Sequence, residues 1–267
     1  MTGRIDSQSL PARYIEQNKN KAHEPMNDYP SQGRKPLGNN DNSPPLPGGE
    51  EAAANRPKLP ASPQLVELFA DVRDGAAAGF ALAQVPRSGR VLWVQDRMAA
   101  LETGRPFGRG CENFGCTMDR LALVSAGNAT NLLWAMEEGL RCSSLTAIIG
   151  EIRGDPRALD FTATKRLAMR AERQGVHVFL IRWNGAADLS AARQRWRIGS
   201  LPSAPDMRDP RAPGAPRWHA ELFRARGMKP GTWTARYDRA AHRLDLAAAL
   251  RDPALAEEAE SRAAATR

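Results

Sequence analysis

Four short apolar runs constrain this chain more than any other feature. They are Val91-Leu92-Trp93-Val94, Leu121-Ala122-Leu123-Val124, Leu145-Thr146-Ala147-Ile148-Ile149 and Val176-His177-Val178-Phe179-Leu180-Ile181. A strand with one wet face alternates apolar and polar residues. A continuous run needs cover on both faces, which is the pattern of a parallel sheet sandwiched by helices. Leu65-Val66-Glu67-Leu68-Phe69, just upstream, reads as a further short strand or a helix edge.

Helical stretches lie between the runs. Asp74 to Gln84 is Ala-rich, and its Gly75 and Gly79 suit a helix packed closely on a sheet. Asn131 to Arg141 carries Leu132, Leu133, Trp134, Met136 and Leu140, with Glu137 and Glu138 on the wet side. Next, Asp155 suits an N-cap, Pro156 a first helical turn and Gly175 a helix end. Leu159, Ala163, Leu167 and Ala171 recur between them at helical spacing, opposite a basic face of Lys165, Arg166, Arg170 and Arg173. Strands alternating with helices make an α/β fold with a mostly parallel sheet flanked by helices.

The flanks differ in style. Residues 1–63 hold half of the prolines and few large apolar side chains, so they read as a disordered leader. After Asn184, Arg195 to Ser200 reads as a strand and Leu201 to Pro216 as a Pro-rich connection. Trp218 to Arg226 reads as helix or strand, Thr232 to Tyr237 as an exposed strand, and Asp245 to Arg251 as a short helix. The chain thus divides into the leader, an α/β domain over 64–251 with a small C-terminal extension, and a frayed tail over 252–267.

No apolar stretch is long enough for a membrane span, and Met1 to Lys21 lacks the apolar run of a secretory signal. The cysteines, Cys111, Cys116 and Cys142, have no disulfide-framework spacing, which fits a reducing cytoplasm. The net charge is +8. Its excess falls in the last third of the chain, where a cationic face would attract nucleic acid or an acidic partner.

Nucleotide chemistry needs glycines whose neighbouring N–H groups cradle phosphate, a Lys for charge and a hydroxyl for Mg²⁺. At the corresponding place stand Gly75, Gly79, Phe80 and Ala81. The glycine spacing is one residue short, Phe80 replaces the Lys, and Ala81 replaces the hydroxyl. A benzyl group neutralises no phosphate, so this is a degenerate phosphate loop, better explained as a tight helix–sheet contact. Asp96 and Glu151 follow apolar runs as strand-end acids, but without the Lys they make a weak case for hydrolysis. Cys111 and Cys116 lack partners to complete a zinc set, and His23, His177, His219 and His242 form no ligand spacing. We expect no catalytic residue, no cofactor and no metal.

The C-terminal third interleaves arginines with aromatics: Arg193, Arg195, Trp196, Arg197, Arg211, Arg217, Trp218, Arg224 and Arg226. Arginines pair with phosphate and aromatics stack on bases. The same composition anchors protein interfaces. A protein interface ranks first, a structural role second and direct DNA binding third.

Two segments carry a resemblance to a known family. One is Gly150-Glu151-Ile152-Arg153-Gly154-Asp155-Pro156-Arg157-Ala158-Leu159-Asp160-Phe161-Thr162-Ala163-Thr164-Lys165-Arg166-Leu167-Ala168. The other is Asp209-Pro210-Arg211-Ala212-Pro213-Gly214-Ala215-Pro216-Arg217-Trp218, with Glu221-Leu222-Phe223-Arg224-Ala225-Arg226-Gly227 after it. From about Leu65 to Arg251 the chain resembles the ImuA family of α-proteobacteria. Phe114 to Ser125 is also similar to the RecA segment that leads into a core strand.

The resemblance implies a RecA-like core and a place in SOS-induced translesion synthesis. It implies three partners: ImuB, which is polymerase-like but lacks catalytic acids, RecA, and an error-prone DnaE-type polymerase. The expectation is a non-catalytic accessory protein. The alternatives are a RecA-like DNA-dependent ATPase with a relaxed nucleotide site, or a SulA-like cell-division inhibitor.

Overall fold

A computed structural model describes residues 62–206, 209 and 211–248. The expected tail, and all but the last two residues of the expected leader, lie outside the described residues. In chain order five strands come first: β1 (Leu65–Ala70), β2 (Arg90–Asp96), β3 (Leu121–Ala126), β4 (Leu145–Arg153) and β5 (His177–Trp183). β6 (Gln194–Leu201), β7 (Arg217–Ala225), β8 (Gly231–Asp238) and β9 (Arg243–Ala248) follow. All nine form one sheet in the order β3-β2-β4-β5-β1-β6-β7-β8-β9. The six strands from β3 to β6 in that row pair in parallel, and β7, β8 and β9 continue the sheet antiparallel. The architecture is α/β with a mostly parallel sheet flanked by helices, consistent with a RecA-like fold.

Each apolar run becomes a strand. Ile148, Ile149, Val178 and Leu180 are fully buried because helices cover both faces. Alternate residues feed two separate cores. One core gathers Val66, Leu68, Trp93, Ile149, Phe179 and Trp196 under α1 (Ala76–Leu82) and α2 (Arg97–Thr103). The other gathers Leu65, Val94, Ile148, Val178 and Leu180 under α4 (Ala129–Gly139) and α5 (Phe161–Gln174). A short α3 (Gly108–Glu112) and the 3-10 turn Met118–Arg120 lead into β3.

Three local expectations need correction. The helix expected from Asp155 starts at Phe161, where the Asp160 carboxylate accepts the Ala163 N–H at 2.7 Å. Asp155 is engaged elsewhere: its Oδ1 accepts from Arg182 at 2.5 Å and from the Ala186 N–H at 2.8 Å. Gly175 does end the helix, with φ of 69° in the left-handed region. The short helix expected over Asp245 to Arg251 is strand β9 as far as Ala248, because Leu244 and Leu246 face the core and the segment pairs with β8; its last three residues lie outside the described residues. Strand β8, expected to be exposed, buries Ala235 and Tyr237.

The basic face of α5 is partly neutralised. Arg166 and Arg170 both reach Glu137 on α4, at 2.9 and 2.7 Å. Glu137, expected on the wet side, thus ties the two helices that cover the same core.

Candidate functional site

The central strand β1 ends at Ala70, and its loop delivers Asp74 to the start of α1. Asp74 Oδ1 accepts the Ala76 N–H at 2.9 Å, and Oδ2 accepts the Ser200 N–H from the end of β6 at 2.7 Å. The Ser200 hydroxyl also donates to Oδ1. Partial burial pushes the carboxyl pKa up, but the bonds from the Ser200 hydroxyl and the two N–H groups outweigh it and hold the pKa below the ordinary value. This is where a phosphate-binding loop presents backbone donors to an anion. Here the chain's own carboxylate takes those donors and adds a negative charge.

Of the four residues at the expected phosphate-loop position, Gly79, Phe80 and Ala81 sit inside α1. Gly75 is its N-cap, with open space around it. Gly79 lies against Trp218 and Phe114: a Cβ there would come within 3.2 Å of the indole. Phe80 is fully buried, 5.6 Å from the Trp196 ring and 5.9 Å edge-on from Trp218. Ala81 is buried beside it. The spacing read as a failed phosphate loop is the packing face of a helix on a tryptophan-lined sheet.

The two acids also prove to have structural partners. Asp96 is the last residue of β2 and caps α2, with Oδ1 on the Ala99 N–H at 2.7 Å and Oδ2 on the Arg153 N–H at 3.1 Å. Glu151 lies inside β4 and not at its end, a correction to the strand-end assignment. It is 2% exposed. The indole N–H groups of Trp93 and Trp183 donate to it, the latter at 2.8 Å, and Gln95 Nε2 donates at 3.2 Å. Burial drives its pKa up, against the lowering effect of the hydrogen bonds from Trp183, Trp93, Gln95 and Thr103.

The arginine–aromatic series separates into interior and surface. Trp196 is fully buried, and its Nε1–H donates to Gln194 at 3.0 Å. Trp218 is 4% exposed. Arg195, expected at an interface, is buried and bonds Glu67 Oε2 at 2.6 Å between the neighbouring strands β6 and β1. Arg182 approaches the other oxygen of Glu67 at 3.8 Å, so one fully buried carboxylate lies between two buried guanidinium groups. Phe69 packs under both arginines, with centroids 5.5 Å from Arg182 and 5.1 Å from Arg195. Glu67 and Arg182 were not singled out from the sequence, and only the β5-β1-β6 strand order brings them together.

On the surface, Arg197 pairs with Glu221 at 2.9 Å and lies 4.4 Å over the Phe223 ring. Arg193 bonds Glu172 of α5 at 2.5 Å, and Arg217 donates to the Pro202 carbonyl at 2.8 Å. Arg211, Arg224 and Arg226 are exposed. The expected cationic interface therefore loses its tryptophans and one arginine to the interior.

Among the described residues, no helix is long and apolar enough to cross a membrane. No family model matches the chain. The chain is similar to two curated proteins, each called Protein ImuA, from two strains of Caulobacter vibrioides. Each is 33% identical to it over 166 residues, covering 58% of this chain and 64% of the relative. The chain thus matches somewhat under two thirds of the length of these relatives.

Proposed function

We propose that the chain is a non-catalytic accessory protein of DNA-damage-inducible mutagenesis, acting by protein contacts. The likeness to Protein ImuA supports the pathway. The partners that the family resemblance implies are an ImuB-like protein, RecA and an error-prone DnaE-type polymerase. The observation that carries the non-catalytic part is Asp74. Its carboxylate takes the donors of Ala76 and Ser200 where a nucleotide would place phosphate. A bound triphosphate would meet a fixed like charge, with Phe80 turned into the core instead of a cation.

Two measurements test this. Deleting the gene should abolish the rise in mutation frequency after ultraviolet damage, and the wild-type gene should restore it. An unchanged rise in the deletion strain would remove the pathway. The purified chain should show no ATP cleavage above background with or without single-stranded DNA. Robust DNA-stimulated cleavage would overturn the non-catalytic reading and favour the ATPase.

A further inference from the structure

We propose that Cys111 and Cys116 are a reversible redox pair, closed to a disulfide by exchange with a small disulfide such as oxidised glutathione. The backbone sets them together. Gly115 has φ of 74°, in the left-handed region, and turns the chain just after α3. The Gly115 N–H donates to the Glu112 carbonyl at 2.9 Å, and the Cys116 N–H to the Cys111 carbonyl at 3.1 Å. These are the two bonds of a helix ending in which the residues at the outer bond commonly pack side chain to side chain. Here the outer bond joins the two cysteines. Both side chains enter the same core, at 2% and 1% exposure.

The pair is also the anchor of its segment. Of the described residues from Ala100 to Arg120, only Cys111 and Cys116 are buried. Elsewhere the segment is tied by polar contacts: Gln95 donates to the Gly104 carbonyl at 2.9 Å, and Arg120 donates to the carbonyls of Pro86, Gly89 and Gly115. Local opening of so lightly buried a segment costs less than global unfolding. The turn is held by its own hydrogen bonds, so lifting it off the core exposes both thiols while keeping them adjacent.

Burial pushes the Cys111 thiol up to about 11, and the neighbouring Cys116 adds to the rise. Burial raises Cys116 as well, but the Arg120 charge opposes it. Cys116 is therefore the attacking thiol once the segment opens. Its thiolate attacks one sulfur of glutathione disulfide and releases one glutathione thiolate. The Cys111 thiolate then attacks the mixed disulfide, forms the bond to Cys116 and releases the second glutathione. The two cysteines lose two protons and two electrons, and one glutathione disulfide becomes two thiols. The closed ring staples the turn, and reduction reopens it.

The test uses the full chain with Cys142→Ser, which removes the exposed thiol. It is equilibrated over a series of reduced-to-oxidised glutathione ratios, natively and in urea, quenched with acid and read by mass spectrometry. The native chain should lose two hydrogens without retaining glutathione, and its peptides should carry a Cys111–Cys116 cross-link. Half-oxidation should need roughly tenfold less oxidised glutathione than in urea, because the folded turn holds the thiols adjacent. Oxidation should slow amide exchange over residues 104–117, and dithiothreitol should reverse both changes. Two small apolar side chains serving only as packing would show none of this. Equal midpoints in native buffer and urea, glutathione retained on one cysteine, or native thiols still reduced where the urea-unfolded chain is oxidised would each overturn the proposal. The readout is chemical, so it stands apart from any change in mutation frequency.

Discussion

Asp74 and Ser200 close the start of α1 against the end of β6: the Asp74 carboxylate accepts the Ser200 N–H at 2.7 Å and the Ala76 N–H at 2.9 Å. This contact joins the loop after the central strand to the first strand beyond it. It also sets a carboxylate at the start of α1.

Removing that carboxylate in Asp74→Ala should lower stability by about 1–2 kcal/mol, the order expected for losing its hydrogen bonds from Ala76 and Ser200. The native pKa of Asp74 is lowered, so its contribution is present above the ordinary value of 3.8 and lost as pH falls below it. Urea unfolding of both proteins at several pH values checks this. A stability gap that persists at the most acidic pH would contradict the assignment.

Glu151 has the opposite sign. Burial raises its native pKa, so the folded protein holds the proton more tightly than the unfolded chain. Wild-type stability should therefore fall relative to Glu151→Gln as pH rises above the ordinary value of 4.5. A pH-independent difference in urea midpoint would show that the two indoles and Gln95 compensate fully for burial.

Trp218→Ala should cost about 3–5 kcal/mol, as expected for emptying a packed aromatic site. Phe80, Phe114 and Gly79 all border the space left behind. Thermal melting measures the loss. A variant that melts like the wild type but fails to bind its partner would return Trp218 to the interface.

Arg195 and Arg197 are two residues apart and should behave differently. Arg195→Glu would place two carboxylates together in the interior beside Arg182, and should destabilise by about 3–5 kcal/mol. Arg197 is exposed and its pair with Glu221 is solvated, so Arg197→Glu should change stability by about 1 kcal/mol or less. Chemical unfolding of the two variants side by side distinguishes them.

The cysteines should divide the same way under a thiol reagent at mildly alkaline pH. Burial pushes the Cys111 thiol up to about 11 and raises Cys116 as well. Cys142 is exposed, and its hydrogen bond with Ser144 lowers its pKa. The native protein should release one fast thiol, absent in Cys142→Ser, with the others reacting on unfolding. Three fast thiols in the native protein would mean that the segment around Cys111 opens readily.

Strands β2, β4 and β5 were legible in the sequence because burial on both faces leaves continuous apolar runs, and α1, α4 and α5 because their spacing is helical. β3 was read from an equally apolar run although it lies at the sheet's end with Leu123 and Val124 exposed. β1 was read as strand or helix edge, and α2 and α3 were not anticipated. Periodicity is local, and each element carries its own record of it. The boundaries were less legible at Asp155, because Asp155 and Asp160 are equally good caps as sequence. Arg182, brought across from β5, is what engages Asp155.

The roles of the charged and aromatic residues were decided by tertiary structure alone. Nothing near Arg195 in the chain indicates that Glu67 faces it across a parallel strand pair, or that Arg182 approaches from the other side. An arginine beside a tryptophan reads the same whether it points to water or to a buried carboxylate. Residue types and local spacing determined which elements form and that the phosphate-binding Lys is missing. Strand order, which depends on contacts between residues far apart in the chain, determined which charges are buried in pairs.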